Sequence, residues 1–177
     1  MNRGYHEIKE HGKREFPFNI YPCSIPVDFS HVALHWHEEM EIIAVKKGKG
    51  RITVDTVSYP VEEGDILAVF PGQLHAISCG NGERMEYENI IFRLSMLMGD
   101  NGDGCTVHFL KPLQEGQAKN PVLIQRNQPD HEVFGKVIQE LDRFSEIRGN
   151  GYQLAVKGQL FLFLYYAYGR GILFTEK

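Results

Sequence analysis

Short apolar runs separated by polar, glycine-containing turns occupy the middle of the chain, residues 31–110. The runs are rich in β-branched and aromatic residues, a composition that predicts strands rather than helices. The predicted strands cover 41–45, 51–57, 66–70, 87–94 and 106–110, with turns at 47–50, 62–65 and 80–82. Because no helical pattern interrupts these strands, they predict an antiparallel barrel or sandwich rather than a parallel sheet with crossover helices.

The pattern changes to helical spacing in the last third of the chain. Apolar residues recur at three- and four-residue intervals over 132–147, which predicts an amphipathic helix that ends at the glycines of 149–151. A second helix is predicted over 152–168, and the glycine turn makes the two a helical hairpin. This second helix is apolar on more than one face, so we expect a homodimer through the C-terminal helices. A charged residue at Leu160 or Leu164 should weaken that dimer only if their face lies in the interface.

Residues 1–30 mix large apolar side chains with prolines, and this mixture predicts an irregular arm. Two interpretations remain: the arm lies across the barrel and covers its mouth, or it is a loosely tethered terminus. The predicted organisation is an N-terminal arm over 1–30, a barrel over 31–125 and a helical hairpin over 126–177. The hairpin is expected to serve dimerisation and to link to a further domain.

Composition and charge narrow the classes of function. The formal net charge of −4 argues against this chain holding nucleic acid by itself, because binding to the phosphate backbone needs clustered Lys and Arg. Three cysteines without a CxxC spacing argue against a disulfide framework or a thiolate zinc site. The first residues are too polar for a signal peptide, and the longest apolar run, 160–168, is too short to span a bilayer. We therefore expect a cytoplasmic protein without a membrane partner.

Candidate chemistry is concentrated in alternating His and Glu residues: His35, His37, Glu39 and Glu41. Side chains alternate along a strand, so these four are predicted to share one face, which can point into a small barrel. A third histidine, His75, follows a second predicted strand and a Pro-Gly turn that redirects the chain.

These stretches resemble the motifs of the cupin family. The first cupin motif is matched by the HxHxxxE spacing that starts at His35, and the second by Gly64, Gly72 and His75. The resemblance implies a mainly β fold: a cupin-type antiparallel β-barrel (a double-stranded β-helix, or jelly roll), followed here by the C-terminal two-helix hairpin.

Three positions depart from the cupin pattern: Phe29 replaces a leading glycine, the proline of the second motif is displaced to Pro71, and Cys79 replaces an asparagine. The resemblance implies that four intact positions can hold a divalent ion inside the barrel, namely His35, His37, Glu41 and His75. Three imidazoles and a carboxylate suit Zn, Ni, Mn, Fe or Cu, so the donor set does not choose the metal. A polar pocket without metal and a purely structural cluster stay open, so no cofactor is required.

A narrower resemblance runs along nearly the whole chain. Stretches similar to AraC-type sensor domains follow in the family's order at 35–43, 59–65, 71–75, 87–92, 109–113 and 155–160. The resemblance implies an effector-sensing and dimerisation domain whose barrel binds a small polar metabolite, often a sugar, and which is not an enzyme. In that family two helix-turn-helix units follow this point. DNA is therefore an expected partner only through a domain absent from this chain.

Arg51 and Tyr87 are further candidates for the lining of the ligand pocket, although Arg51 is equally well read as a solvated turn residue. Alternation places Trp36 opposite the histidines, where we expect it to pack in the core. Two rival functions remain. One is a metal-dependent cupin enzyme of the sugar isomerase or dioxygenase type, with Glu39 or Tyr87 as an acid or base. The other is a plain dimerisation module with an unused pocket.

Overall fold

The computed structural model describes residues 5–7, 9, 11–100, 102–172 and 174. Parts of the predicted arm (1–4, 8 and 10) and of the predicted helical segment (173 and 175–177) lie outside the described residues. The strands are β1 (Phe18–Ile25), β2 (Val32–His35), β3 (Met40–Val54), β4 (Val57–Glu62), β5 (Ile66–Val69), β6 (His75–Ser78), β7 (Met85–Phe92) and β8 (Val122–Ile124). The helices are α1 (Lys111–Gln114), α2 (His131–Ile147) and α3 (Tyr152–Gly169), with a 3₁₀ turn at Leu94–Leu97 and a π-helical turn at Thr106–Leu110.

The strands form two antiparallel sheets that share the long strand β3. The first half of β3 lies in a helix-side sheet with the strand order β1-β7-β3-β5-β8. Its second half lies in an opposite sheet, where it pairs with β4 and β6 while β6 pairs with β2. The predicted fold class, a mainly β antiparallel barrel followed by a two-helix hairpin, is confirmed.

The helix-side sheet is buried on both faces. Ile43, Leu67 and Tyr87 point inward to a core shared with the opposite sheet. Alternate residues such as Ile42 and Ile90 point outward to a second core under the helices. This double burial explains why residues 40–45 are buried without interruption, a pattern typical of a strand covered on both sides. Glu41 is the acidic exception in this run, and it points inward.

The hairpin turn predicted at 47–50 is wrong, because β3 passes straight through these residues. The strand shifts register between Val45 and Lys47, where it leaves one sheet for the other. Gly48 has a positive φ of 78°, and a Cβ there would clash with the carbonyl oxygen of Arg84. The glycine therefore marks a bend with a close backbone approach rather than a chain reversal.

Two further predictions are corrected. The arm predicted as irregular contains β1, which pairs along its whole length with β7, so residues 18–25 belong to the sheet. The strand predicted at 106–110 is a π-helical turn, in which Asp103 accepts hydrogen bonds from the Thr106 amide and hydroxyl at 2.7 Å each. This side-chain cap favours the helical turn over an extended strand despite the β-branched residues.

Helices α2 and α3 pack against each other and against the helix-side sheet. Leu160 and Leu164 are buried in the chain's own core, so their face is not available to a second copy. The exposed apolar residues of α3 lie elsewhere: Leu154, Phe161, Leu162 and Tyr165. Among the helices that the structure describes, none combines the length and the apolar character needed to cross a membrane.

Candidate functional site

Four predicted ligand residues converge between the two sheets. His35, His37, Glu41 and His75 each offer one donor atom, and these atoms all lie within 4.8 Å of one another. His37, Glu41 and His75 are buried, while His35 is half-buried at the edge of the group. The predicted convergence of these four residues is confirmed, and we call them the histidine cluster.

The chain brings the cluster together by a bend rather than along one strand. His35 ends β2, His37 lies in the connection that follows, and Glu41 belongs to β3. The prediction that one strand face carries all of them is therefore wrong, because residues 36–39 interrupt the strand. His75 arrives from β6, where it stands directly opposite His35 in the β2–β6 pair. The amide of Gly72 donates to the carbonyl of His37 at 2.9 Å, which ties the two stretches together.

The three imidazoles of the cluster share one hydrogen-bonding arrangement. Each directs its Nδ1 atom to a backbone carbonyl oxygen, which can only accept. Nδ1 therefore carries the proton in each ring, and Nε2 is left for the centre of the cluster. The acceptors are the carbonyl oxygens of Ala33, Glu39 and Gln73, at 2.9, 3.1 and 3.0 Å from His35, His37 and His75 in that order.

Glu41 lies against two of these Nε2 atoms. Its Oε2 is 2.9 Å from His37 Nε2 and 3.1 Å from His75 Nε2. Since Nδ1 already holds a proton, these short contacts need a second proton on the imidazole or a cation between the lone pairs. Burial alone would raise the pKa of Glu41, but the hydrogen bonds with His37 and His75 outweigh it and hold the pKa well below its usual range.

The two flanking histidines respond differently to their surroundings. Burial lowers the pKa of His37, but the contact with Glu41 outweighs it and leaves that pKa above its usual value. Burial, and then the neighbouring His75, lower the pKa of His35. His35 is therefore disposed to stay neutral and to offer a lone pair.

The cluster fits a divalent transition-metal ion. Three Nε2 atoms and a carboxylate oxygen are the donors that such ions take in proteins. Backbone acceptors behind each imidazole fix the ring orientation in the way typical of metal-ligating histidines. His35, His37, Glu41 and His75 are the residues that would hold the ion.

A cavity of about 430 Å³ opens beside the cluster. Three buried polar atoms on residues of its wall have no hydrogen-bond partner among the described residues: Tyr87 Oη, Asn89 Oδ1 and His11 Nε2. Such atoms cost stability unless water or a ligand satisfies them. The cavity is also lined by Glu7, Lys9, Tyr21, Cys23, His35 and Glu41.

The structure places the remaining predicted residues differently. Tyr87 is buried and lines the cavity. Arg51 is exposed on β3, where its Nη1 donates to Ser58 Oγ at 3.2 Å, so the structure does not bring it to the cavity. Trp36 is half-buried and stacks on His6 with ring centroids 4.1 Å apart, so its predicted packing in the core is wrong.

Sequence reasoning missed the part of the cavity wall that the N-terminal segment supplies. Glu7 and His11 lie in residues read only as an arm, and no motif marks them. Glu39 is not one of the four donor residues: its Oε1 accepts from Arg93 Nε at 2.8 Å, and its Oε2 lies 3.8 Å from His37 Nδ1. A somewhat larger groove of about 490 Å³ is lined by the N-terminal segment, β1 and α2, and its lining does not include the cluster residues.

Comparison with known proteins gives a family for most of the chain. The sequence profile of the family described as "AraC-like ligand binding domain" matches residues 26–164. An uncharacterized HTH-type transcriptional regulator of Bacillus subtilis (strain 168), YdeC, is 27% identical over 88 residues. This match covers 49% of the present chain and 30% of the length of that regulator.

Solved structures give partial likenesses. A cupin 2 conserved barrel domain protein from Salinispora arenicola CNS-205 is 22% identical, with a TM-score of 0.41, over 45% of this chain and 66% of that one. An RmlC-like cupin family protein with a double-stranded β-helix fold from Methanocaldococcus jannaschii is 19% identical, with a TM-score of 0.39, over 48% of this chain and 72% of that one.

Proposed function

The chain belongs to the family of AraC-like ligand binding domains, and on that premise we propose that it is the effector-sensing part of a transcription regulator. The effector binds in the 430 Å³ cavity beside the histidine cluster. The observation that carries this proposal is the set of unpartnered polar atoms on the cavity wall, from Tyr87, Asn89 and His11. A volume of this size is ordinary for a site that takes one small molecule.

The wall favours a ligand that both donates and accepts hydrogen bonds. Asn89 Oδ1 only accepts, so it needs a donor from the ligand. The Tyr87 hydroxyl is able to do either, and the nearby carboxylates of Glu7 and Glu41 also call for donors or a cation. Hydroxyl groups meet all of these needs, so the proposed effector is a small polyhydroxylated metabolite such as a sugar.

A divalent cation in the histidine cluster is the second part of the proposal. It rests on the contact between Glu41 and two imidazoles whose Nδ1 protons are already engaged. A bound ion would supply a positive centre that polarises and orients an effector hydroxyl entering from the cavity. The chain's own residues would hold that ion and present the hydroxyl to Tyr87 and Asn89.

Dimerisation and DNA binding follow from the same assignment. The exposed residues Leu154, Phe161 and Tyr165 lie at helical positions i, i+7 and i+11 of α3, with Gly158 between them. This spacing forms a stripe along one helix face, which suits packing against the same helix of a second copy. DNA is a proposed partner of a separate helix-turn-helix domain, as the name of the Bacillus relative suggests.

Thermal unfolding with a panel of pentoses, hexoses and short polyols tests the effector proposal. A true effector raises the midpoint in a concentration-dependent way, because it binds only the folded chain. Calorimetry should then give one site per chain. If no compound of the panel shifts the midpoint, with or without added zinc, the proposed ligand class is wrong.

A metal-dependent enzyme is the alternative function, and the donor set of the histidine cluster favours it. Its ionisable neighbours in the cavity would be Glu7 and His11. Turnover distinguishes the two functions, because a sensor releases its ligand chemically unchanged. Incubating the zinc-, manganese- or iron-loaded protein with the sugar that binds, followed by NMR analysis of the sugar, decides between them, because NMR also detects an isomer of unchanged mass. A changed sugar would establish the enzyme.

A further inference from the structure

The N-terminal segment is docked on the stretch that carries two of the cluster histidines. The amide of Glu7 donates to the carbonyl of Trp36 at 2.9 Å, and the amide of Trp36 donates to the carbonyl of Tyr5 at 2.8 Å. His6 stacks on the indole of Trp36 with an interplanar angle of 20°. Trp36 lies between His35 and His37 in the chain. A displacement of these histidines would therefore also displace the residue on which the segment is docked.

This docking carries a carboxylate to the edge of the histidine cluster. Glu7 Oε2 lies 3.7 Å from His35 Nε2 and 3.9 Å from His11 Nε2. Both separations are longer than a hydrogen bond, so Glu7 acts on these groups through its charge. His11 is itself buried, and its Nε2 has no hydrogen-bond partner in the described part of the chain. The edge of the cluster that faces the cavity is thus formed by the segment itself.

The charges at this edge favour a cation. A divalent ion held by the cluster would bring two positive charges close to Glu7, against the one carboxylate, Glu41, that holds the ion from within. A negative group at this range strengthens cation binding, and the coupling is reciprocal: the ion must strengthen the docking of Glu7 to the same degree. Glu7, Lys9 and His11 line the effector cavity, so the docked segment also closes one of its walls.

We propose that Glu7 is a further residue of the cation site, and that cation binding at the histidine cluster and docking of the N-terminal segment stabilise each other. This inference rests on the cation half of the proposed function. It adds a regulatory step: the cavity acquires its N-terminal wall when the cluster is loaded, and the effector then meets a completed site.

The test combines zinc calorimetry with hydrogen–deuterium exchange of the N-terminal segment, using zinc alone as the probe. The variant is Glu7→Gln, which keeps the shape and removes the charge. The matched control is Glu15→Gln, an exposed acid in the same segment that does not line the cavity. In the wild type and the control, zinc should slow exchange at the amides of Glu7 and Trp36. Zinc should bind Glu7→Gln up to about fivefold more weakly than wild type, and it should no longer slow exchange at these two amides.

The outcomes separate the inference from the proposed function. Zinc that binds the wild type and Glu7→Gln with equal affinity, and slows exchange equally in both, overturns the role of Glu7 and leaves the cation site standing. Zinc that does not bind the wild type at all overturns the cation site and this inference together. Effector binding measured without zinc then still tests the remaining half of the proposed function.

Discussion

At the scale of single residues, the direction of three imidazole protons decides what the histidine cluster is able to bind. With Nδ1 of His35, His37 and His75 committed to backbone carbonyls, every Nε2 faces the cluster centre. Glu41 is then surrounded by nitrogen atoms that must be protonated or bound to a cation. The backbone carbonyls therefore determine which nitrogen of each imidazole is available to a ligand.

Replacing Tyr87 by Phe separates ligand binding from stability. The Tyr87 hydroxyl has no hydrogen-bond partner among the described residues, so its loss should leave the free energy of unfolding within about 0.5 kcal/mol of wild type. Affinity for the sugar or polyol that gives the largest thermal shift should fall by about tenfold. Chemical denaturation and calorimetry measure the two quantities.

Tyr168→Phe is the control with the opposite pattern. The Tyr168 hydroxyl donates to the carbonyl of Phe109 at 2.6 Å, away from the cavity. Its removal should cost about 1 kcal/mol of stability and leave ligand affinity unchanged. If Tyr87→Phe instead destabilises the fold and binds ligand as wild type does, Tyr87 is a structural residue.

The cysteines should differ in reactivity. Burial, and then the negative charges of Asp28 and Glu41, raise the pKa of Cys23 to about 11, while Cys105 is exposed. Since the thiolate is the reactive form, iodoacetamide should modify Cys105 well before Cys23 near neutral pH. The rate at Cys23 should keep rising until the pH approaches about 11. Peptide mass mapping at several pH values checks this, and equal rates at neutral pH would contradict it.

The residues of the cluster were predictable because their spacing carries their chemistry. A histidine pair, a glutamate four residues later and a histidine after a Pro-Gly turn are recognisable without coordinates. Glu7 and His11 were not predictable, since they reach the cavity through the path of an arm that has no periodic pattern. Arg51 was misplaced because the register shift between Val45 and Lys47 changes which alternate residues of β3 point inward, and the sequence does not mark that shift.

At the scale of elements, β3 determines the architecture by serving both sheets. Its glycines and lysines at 47–50 imitate a hairpin turn, because the strand is exposed and bent where it leaves one sheet for the other. The prediction of a strand at 106–110 was wrong for a related reason. The local composition favours a strand, but the Asp103 cap and two buried positions one turn apart favour a helical turn. The helices 131–147 and 152–169 were predicted almost to the residue, since their boundaries are marked by a long apolar period and by glycines.

Gly48→Ala tests the bend in β3. Both the positive φ and the carbonyl of Arg84 oppose a side chain there, so the substitution should cost more than about 2 kcal/mol in urea unfolding. Gly82→Ala is the control: its φ is also positive, but nothing lies within 4 Å of the added Cβ. It should cost about 1 kcal/mol. Equal effects of the two substitutions would show that the close backbone approach is unimportant.

At the scale of the whole molecule, one sheet buried on both faces separates the cavity from the helical pair. Its inner face carries Glu41, Tyr87 and Asn89 to the cavity, and its outer face carries the helical pair. Only one layer of strands therefore separates the cavity from α3. The proposed effector site and the proposed dimer contact therefore lie on opposite faces of the same sheet.

Tyr165→Glu tests the assembly proposed for α3. Tyr165 is 71% exposed, so a charge there should leave the folded monomer intact while disrupting an α3–α3 contact. Sedimentation should show a dimer for the wild type at micromolar concentration and a monomer for the variant. Gln153→Glu, which adds a charge at an exposed position of the same helix about 100° around its axis from Leu154, should remain a dimer. A wild type that sediments as a monomer, or a Tyr165→Glu variant that stays dimeric, would contradict the proposal.

The account depends most on the histidine cluster as the cation-holding floor of the effector cavity, and a calorimetric zinc titration of the metal-free protein tests this directly. The wild type should bind one ion per chain. Glu38→Gln, which removes an exposed carboxylate on the same loop, should bind equally well. Glu41→Gln should weaken binding by more than about tenfold, because a buried ligand and its charge are lost. A wild type without saturable binding, or a Glu41→Gln variant that binds as tightly as wild type, would contradict the account.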